Sequence, residues 1–196
     1  GGNLQRLQTQ RVQDLPEQQA SITALHDWIE AIRTYPKPVI AAVEGSAGAG
    51  LALALACDLV VAARSARFAT AYARVGLSPD GGTSWHLARA LPRALAAELL
   101  MCGDLVEAER LHALGLVNRL ADTGQALQAA LDLAGTLHGR APNALASCKE
   151  LLDEAAHQPL SAQLDLERAH FLRNLTHANA GEGIAAFLDK RTPHWR

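Results

Sequence analysis

One aspartate of this chain stands in a turn-forming segment among small and apolar neighbours. Asp80 follows Ser78 and Pro79 and precedes Gly81-Gly82. Such surroundings partly desolvate a carboxylate, which suits a group that takes up and releases a proton during a reaction. The same position also suits a turn residue or a helix N-cap, because aspartate accepts hydrogen bonds from free backbone N–H groups. Asp80 is therefore a candidate acid/base, and a purely structural role stays open.

A glycine-rich turn is the second candidate for chemistry. Gly45, Gly48 and Gly50 follow the apolar run Val39–Val43 and precede the strong helix formers of 51–57. This order predicts a strand, a turn and a buried helix whose first N–H groups lack intrahelical partners. Those groups could hold an oxygen that becomes negatively charged. Close packing of strand and helix would also explain the glycines.

Several other classes of site are disfavoured. The glycine spacing differs from a dinucleotide-binding loop, and no acidic residue follows at the expected distance. The eight histidines form no metal-binding pattern, so we predict no metal site. Ser46, Ser78 and Ser84 lack the G-x-S-x-G context of a serine hydrolase. Tyr72 is one of two tyrosines, and such a residue commonly packs in a core with its hydroxyl bonded.

The elements that must position these residues alternate between strand and helix. We predict strands at 39–43, 59–63 and 116–120, a short extended piece at 66–70, and helices at 17–34, 48–57, 83–90, 92–101 and 106–114. Residues 4–16 are interpreted as a loop or frayed helix. After 121 the pattern is helical, with breaks at 139–142, near Pro159 and near Gly181. This predicts an α/β core followed by a helical tail, with the division at 133/134.

Composition narrows the partners. The chain has 196 residues, 49% of them hydrophobic, which is enough for a substantial core. The formal net charge of −2 and the absence of a basic stripe disfavour nucleic acid. The apolar run 51–63 is short and interrupted by Asp58, so no membrane segment is expected. Cys57, Cys102 and Cys148 are widely spaced, which fits a reducing cytoplasm.

Five segments together resemble the crotonase superfamily, also called the enoyl-CoA hydratase/isomerase family. They are KPVIAAVEG, GAGLALALACDLVVAA, ARFATAYARVGLSPDGG, AERLHALGLVNRL and EGIAAFLDKR, in family order. The resemblance implies a ββα superhelix with a C-terminal helical trimerisation region, and assembly into homotrimers or dimers of trimers. It implies a coenzyme A thioester as substrate and no cofactor. Gly1-Gly2-Asn3-Leu4 is similar to the end of the family's AGG[ND]L element, so we expect the family's first βαβ portion to be missing from this sequence.

The resemblance also implies roles for individual residues. The family holds the thioester oxygen with two backbone N–H groups, which fall here on Gly2 and Ala49. The two glutamates of hydratases fall on Ala52 and Tyr72, which are not acidic and would line the acyl pocket. Asp80 matches a catalytic aspartate of dienoyl-CoA isomerases, ring-epoxide isomerases and chlorobenzoyl-CoA dehalogenase.

Two further features concern the ligand and the turn. Phe187 and Lys190 match positions that contact the adenine and phosphates of coenzyme A, often across a subunit boundary; packing of Phe187 and solvation of Lys190 are the alternative. The connection 45–48 is one residue shorter than the family's usual turn.

The sequence thus predicts an acyl-CoA enzyme that shifts a double bond or isomerises through a thioester enolate. Asp80 would be its one acid/base, and backbone amides would form its oxyanion hole. Two alternatives stay open: an enoyl-CoA hydratase, and a coenzyme A-binding homologue without catalysis.

Overall fold

The computed structural model of the chain describes residues 3–48 and 50–196. The chain divides into two compact units. The first comprises the residues up to Tyr35 together with Val39–Leu131, and the second comprises Pro36–Pro38 and Asp132–Arg196. The elements form a mixed α/β structure, as the sequence predicts.

A parallel sheet forms the centre of the first unit. Its strands are β1 (Ile40–Val43), β3 (Leu59–Ala63) and β6 (Arg119–Ala121), in the order β1-β3-β6. Ile40 pairs with Leu59, and Val61 pairs with Arg119. The middle strand β3 is almost wholly buried, which explains its unbroken apolar sequence. The predicted third strand begins later than expected, at Arg119. Just before it, the Asn118 side chain accepts a hydrogen bond from Val60 N–H at 2.7 Å, and the Asn118 N–H donates to the Val60 carbonyl at 2.8 Å.

A second, smaller sheet corrects one prediction. Its strands are β2 (Ser46–Ala47), β4 (Arg67–Phe68) and β5 (Val106–Glu107), with β4 parallel to β2 and antiparallel to β5. The predicted helix from 106 to 114 is therefore wrong at its start, since Val106 pairs with Phe68 in the sheet. Both side chains are buried, and Arg67 pairs with Glu107 at 3.2 Å.

The other elements of the first unit are helical. In the first unit they are α1 (Leu4–Gln10), α2 (Leu15–Thr34), α3 (Gly50–Ala56), a 3-10 turn (Ala73–Val75), α4 (Thr83–Ala90), α5 (Arg93–Cys102) and α6 (Ala108–Ala113). The Asp14 carboxylate caps α2 by accepting from Glu17 N–H at 3.0 Å, and Pro16 lies in its first turn. Helix α3 buries Leu51, Ala52, Ala54 and Ala56.

The second unit is helical. Helix α7 (Ala126–His138) leads the chain into it, and α8 (Pro142–Ala155), α9 (Leu160–Leu175) and α10 (Ala178–Leu188) follow. The predicted break near Gly181 is wrong, because α10 runs through that residue. It begins instead after His177, whose ring Nδ1 accepts from Asn179 N–H at 3.1 Å. No helix among residues 3–48 and 50–196 is long and apolar enough to cross a membrane.

Candidate active site

The turn that carries Asp80 is built around two left-handed glycines. Gly81 and Gly82 have φ values of 55° and 75°, a region that residues with a Cβ rarely adopt. The Asp80 carbonyl accepts from Thr83 N–H at 3.1 Å and from Thr83 Oγ1 at 2.9 Å. Thr83 is buried and opens α4. The backbone of the turn is therefore fixed at the entrance to this helix.

Tyr72 orients the Asp80 carboxylate. The Tyr72 hydroxyl donates to Asp80 Oδ1 at 2.7 Å, and both residues are half-buried. The Tyr72 backbone is itself held, because its carbonyl accepts from Val75 N–H and Leu77 N–H, each at 3.0 Å. Tyr72 thus begins the 3-10 turn and reaches across to the segment before α4. Oδ1 is engaged, and Oδ2 accepts no hydrogen bond from the residues that the structure describes.

The hydroxyl of Tyr72 stays protonated at neutral pH. Burial, followed by the hydrogen bond to Asp80 and the negative charge of that carboxylate, raises the pKa of Tyr72 to about 12. A tyrosinate next to a carboxylate in a partly desolvated place would be strongly disfavoured. Tyr72 is therefore a hydrogen-bond donor at this site rather than a base.

Ala52 lies against the Asp80 turn and leaves no room beside it. Ala52 is 1% exposed, and a Cβ placed on Gly81 would lie 2.9 Å from its Cβ. Leu25 of α2 closes the same space, since its Cδ2 would lie 3.6 Å from that Cβ. Gly81 therefore lies directly against the side-chain position at 52. This packing brings three predicted site residues together: Ala52, Tyr72 and Asp80.

A cluster on α4 was not singled out by sequence reasoning. The rings of Trp85 and His86 meet edge to face at 4.9 Å, and the guanidinium of Arg89 lies 3.9 Å from the Trp85 ring centre. Burial, with the charges of Arg33 and Arg89, lowers the pKa of His86 to about 4. The His86 ring would lie 3.5 Å from a Cβ on Gly82. A neutral imidazole thus borders the Asp80 turn. In the sequence, the one indication of this was that His86 lies near the start of the helix that follows Asp80.

The predicted oxyanion donors, Gly2 and Ala49, lie outside the described residues. Hydrogen bonds hold both ends of the glycine turn. The carboxylate of Glu44, just before the turn, accepts from Gly124 N–H at 2.9 Å and from Ala126 N–H at 2.5 Å. At its far end Leu51 N–H donates to the Gly48 carbonyl at 2.9 Å. The turn is therefore tied to α7 on one side and to α3 on the other.

The predicted coenzyme A contacts belong to the second unit. Phe187 is 85% exposed near the end of α10, so packing within this chain does not account for it. Lys190 lies two residues beyond the helix and is exposed. Within the described ranges, no group of three histidine, cysteine or acidic residues is placed to hold a metal ion.

Comparison with known proteins gives a consistent result. The family model described as "Enoyl-CoA hydratase/isomerase" matches residues 1–196. A 1,2-epoxyphenylacetyl-CoA isomerase of Escherichia coli K12 is 39% identical over 85% of this chain and 64% of its own length. A 2,3-dehydroadipyl-CoA hydratase of the same organism is 36% identical over 84% of this chain and 65% of its own.

A crystal structure of an enoyl-CoA hydratase from Polaromonas sp. JS666 is also similar. It superimposes with a TM-score of 0.98 and 65% identity, over all of this chain and 77% of that one. The chain spans just under two thirds of the length of the curated relatives it matches.

Proposed function

Because the chain belongs to the enoyl-CoA hydratase/isomerase family, the crotonase superfamily, we propose that it acts on an acyl-CoA thioester and moves a double bond through an enolate. The same matches confirm the crotonase-like α/β fold that the sequence predicts. The proposal assigns the proton transfers to Asp80 alone. It is favoured over water addition by the arrangement of side chains around that carboxylate.

One observation supports this proposal most: a hydrogen bond orients the Asp80 carboxylate, and neither position where hydratases of the family have a glutamate is acidic. The positions where the resemblance expects glutamates hold Ala52, which is 1% exposed, and Tyr72, whose pKa of about 12 keeps it protonated. Gly81 packs so closely on Ala52 that a longer side chain there would displace the turn. Hydration needs water activated and a proton delivered, work that two carboxylates usually share. A double-bond shift needs one base that returns the proton it takes.

The proposed reaction balances with one carboxylate. Asp80 removes a proton from C2 of a 3-enoyl thioester, and the electron pair delocalises over C2, C3, C4 and the carbonyl oxygen. The protonated Asp80 returns the proton to C4, which gives the 2-enoyl thioester and restores the carboxylate. The Tyr72 hydrogen bond to Oδ1 at 2.7 Å leaves Oδ2 for the transfer. The charge that develops on the thioester oxygen requires stabilisation.

We assign that stabilisation to the N–H groups of Gly2 and Ala49. Each donor of this kind accounts for about 10²–10³ in rate. Glu44 supports the assignment of Ala49, because its bonds to Gly124 and Ala126 fix the strand end that leads into the glycine turn. The substrate itself supplies the coenzyme A group, and no further cofactor is needed for the proton transfers.

A direct comparison of two activities tests the proposal. The purified chain is given 3-enoyl-CoA and 2-enoyl-CoA of the same length, and the conjugated thioester is followed by its ultraviolet absorbance. We expect formation of the conjugated product from the 3-enoyl substrate and little loss of it from the 2-enoyl substrate. Dominant hydration would overturn the isomerase assignment, and binding without turnover of either substrate would favour the non-catalytic alternative.

Hydration is the second candidate, since the Polaromonas structure, which is 65% identical over the aligned part, is described as an enoyl-CoA hydratase. The variant Ala52→Glu separates the two readings. If Gly81 lies directly against position 52 as described, this variant gains no hydratase activity and loses stability. A folded Ala52→Glu variant with increased hydration would favour the hydratase reading.

We also propose that residues 134–196 mediate assembly into homotrimers or dimers of trimers. Large apolar side chains of α9 and α10 lie exposed in the single chain: Phe171 67%, Ile184 55%, Phe187 85% and Leu188 73%. An exposed apolar set of this size is typical of an interface. Light scattering during size-exclusion chromatography tests this, and a monomer at micromolar concentration would contradict it.

A further inference from the structure

The end of α10 has an unusual residue in a common motif. Lys190 N–H donates to the Phe187 carbonyl at 3.3 Å and Arg191 N–H donates to the Ala186 carbonyl at 3.0 Å, the two bonds of a Schellman motif. The residue that must then be left-handed is normally glycine. Here it is Lys190, with φ of 55°, and it is the one non-glycine residue of positive φ in the described chain. Such a conformation persists where the surroundings enforce it, and it is concentrated at functional positions.

The first enforcing contact comes from Glu182. Its carboxylate accepts from Arg191 Nη1 at 2.7 Å and Nη2 at 2.9 Å, and from His194 N–H at 2.8 Å. These bonds lower the pKa of Glu182 to about 2, the Arg191 hydrogen bonds contributing most. The residue after Lys190 is therefore pulled back onto α10. Asp189 adds to this with an oxygen 3.6 Å from Arg191 Nε.

The second contact comes from Asn179, which is 2% exposed. Its Oδ1 accepts from Arg196 N–H at 2.9 Å, and its Nδ2 donates to the Arg196 carbonyl at 3.1 Å. Nδ2 also donates to Asn143 Oδ1 at 2.7 Å, which ties the pair to α8. The buried amide thus pairs with both backbone groups of Arg196, as a residue of a neighbouring strand would.

The third contact is between Gly183 and Trp195. A Cβ at Gly183 would lie 3.0 Å from Cη2 and 3.2 Å from Cζ3 of the indole, so a side chain there would force the ring away from the helix by a few tenths of an ångström. Gly181, two residues earlier, would meet nothing within 4 Å. We name the whole set the tail clamp; it consists of Asn179, Glu182 and Gly183 on α10 and Arg191, His194, Trp195 and Arg196 beyond it.

We propose that the tail clamp is a positioning device, which holds Lys190 in its left-handed turn and so directs its ammonium group to the phosphates of the coenzyme A substrate. The inference rests on the proposed function, since a phosphate contact of Lys190 comes from the family resemblance. The contacts of the tail clamp are observed in the structure. Arg191 is committed to Glu182 and Asp189, whereas Lys190 has no ion pair with any residue within the described ranges. The turn therefore places Lys190, whose charge is unpaired among the described residues, next to Arg191, whose charge is balanced by two carboxylates.

A pair of glycine variants tests the positioning. Gly183→Ala pushes the indole away, and Gly181→Ala is the matched control on the same helix. Binding of butyryl-CoA, a saturated thioester that cannot be isomerised, is measured by calorimetry. We expect Gly181→Ala to bind as the wild type does and Gly183→Ala to bind about tenfold more weakly, the size of one charge-assisted hydrogen bond. KM for the reactive substrate should rise without change in kcat.

Three more variants keep the test decisive. Trp195→Ala should reproduce the loss without adding a clash, which covers poor folding of Gly183→Ala. Lys190→Asn removes the charge but suits a left-handed backbone, and its loss should not add to that of Gly183→Ala. Lys190→Arg should retain most of the affinity.

Two results would overturn the proposal. Equal affinity of Gly183→Ala, Trp195→Ala and Gly181→Ala would remove the clamp from ligand binding, and unchanged affinity of Lys190→Asn would remove Lys190. Because butyryl-CoA binding needs no turnover, failure here is distinguishable from failure of the isomerase proposal, which is judged by kcat.

Discussion

Two left-handed turns of this molecule reach the same backbone conformation by different means. At the Asp80 turn, Gly81 and Gly82 adopt positive φ without a Cβ to oppose it. At the end of α10, Lys190 adopts it against its own Cβ, and the tail clamp enforces the conformation. The comparison shows that glycine makes a turn locally self-sufficient, whereas a lysine there requires contacts from later in the chain. The following changes sharpen or break that contrast, from the largest expected effect to the smallest.

The largest effect on stability is expected for Gly81→Ala. The new Cβ would lie 2.9 Å from that of Ala52, on a backbone that already disfavours it. We expect the free energy of unfolding to fall by about 3 kcal/mol. Gly76→Ala is the control, since Gly76 has φ of 75° and nothing within 4 Å; it should lose only about 1 kcal/mol. Urea denaturation measures both, and equal losses would show that packing on Ala52 is unimportant.

Removal of the Tyr72 hydroxyl should weaken catalysis while sparing the fold. Tyr72→Phe leaves Asp80 Oδ1 without its donor, and we expect kcat for isomerisation to fall by about 10–100-fold. Tyr35→Phe, at the exposed second tyrosine, is the control. A Tyr72→Phe enzyme with wild-type kcat would show that the carboxylate needs no such orientation.

His86 should make stability depend on pH. Its pKa is about 4 in the folded chain and about 6.5 when exposed, so the unfolded state binds the proton first as the pH falls. Stability contributed by neutral His86 is therefore complete above pH 6.5 and is lost progressively down to pH 4. Allowing for the partial exposure of the ring, we expect a loss of about 1 kcal/mol. The free energy of unfolding from urea denaturation at pH 7 and at pH 4.5 measures this, and His86→Gln should reduce the difference between the two values by that amount. A difference that is unchanged in His86→Gln would contradict the role of His86.

The smallest change is expected for Lys190→Gly. Glycine relieves the left-handed strain, and we expect the free energy of unfolding to rise by about 0.5–1 kcal/mol. Lys190→Ala is the control, because alanine removes the same charge and keeps the Cβ. If Lys190→Gly is less stable than Lys190→Ala, the lysine turn is not strained and the contrast between the two turns fails.

The sequence predicted what local patterns determine. The buried strand at 59–63 is confirmed at both ends because its apolar run is continuous and a turn follows it. The Asp80 turn was predictable from Pro79, Gly81 and Gly82. The predictions that were wrong concern residues whose structure depends on partners distant in the sequence. Val106 forms a strand because Phe68 lies opposite. Gly181 lies within α10, whose neighbouring residues Asn179 and Glu182 bond to residues later in the chain.

The sequence predicted which positions belong to the candidate site, but it did not predict the contacts between their side chains. Asp80 was a candidate from its neighbours in sequence, and the resemblance added Ala52 and the role of Tyr72. The structure adds that Tyr72 donates to Asp80 and that Gly81 packs on Ala52. The sequence did not predict the roles of His86 and the tail clamp, since these roles arise from side chains that meet only after folding. The oxyanion roles of Gly2 and Ala49 stay predictions.

The central claim is that Asp80 alone carries the proton, and kcat of Asp80→Asn tests it most directly. Asparagine keeps an oxygen for the Tyr72 hydroxyl, so the turn should persist and butyryl-CoA should bind as before. We predict a fall in kcat for isomerisation of about 10²–10⁴ with unchanged binding. An Asp80→Asn enzyme that isomerises 3-enoyl-CoA at the wild-type rate would contradict the account.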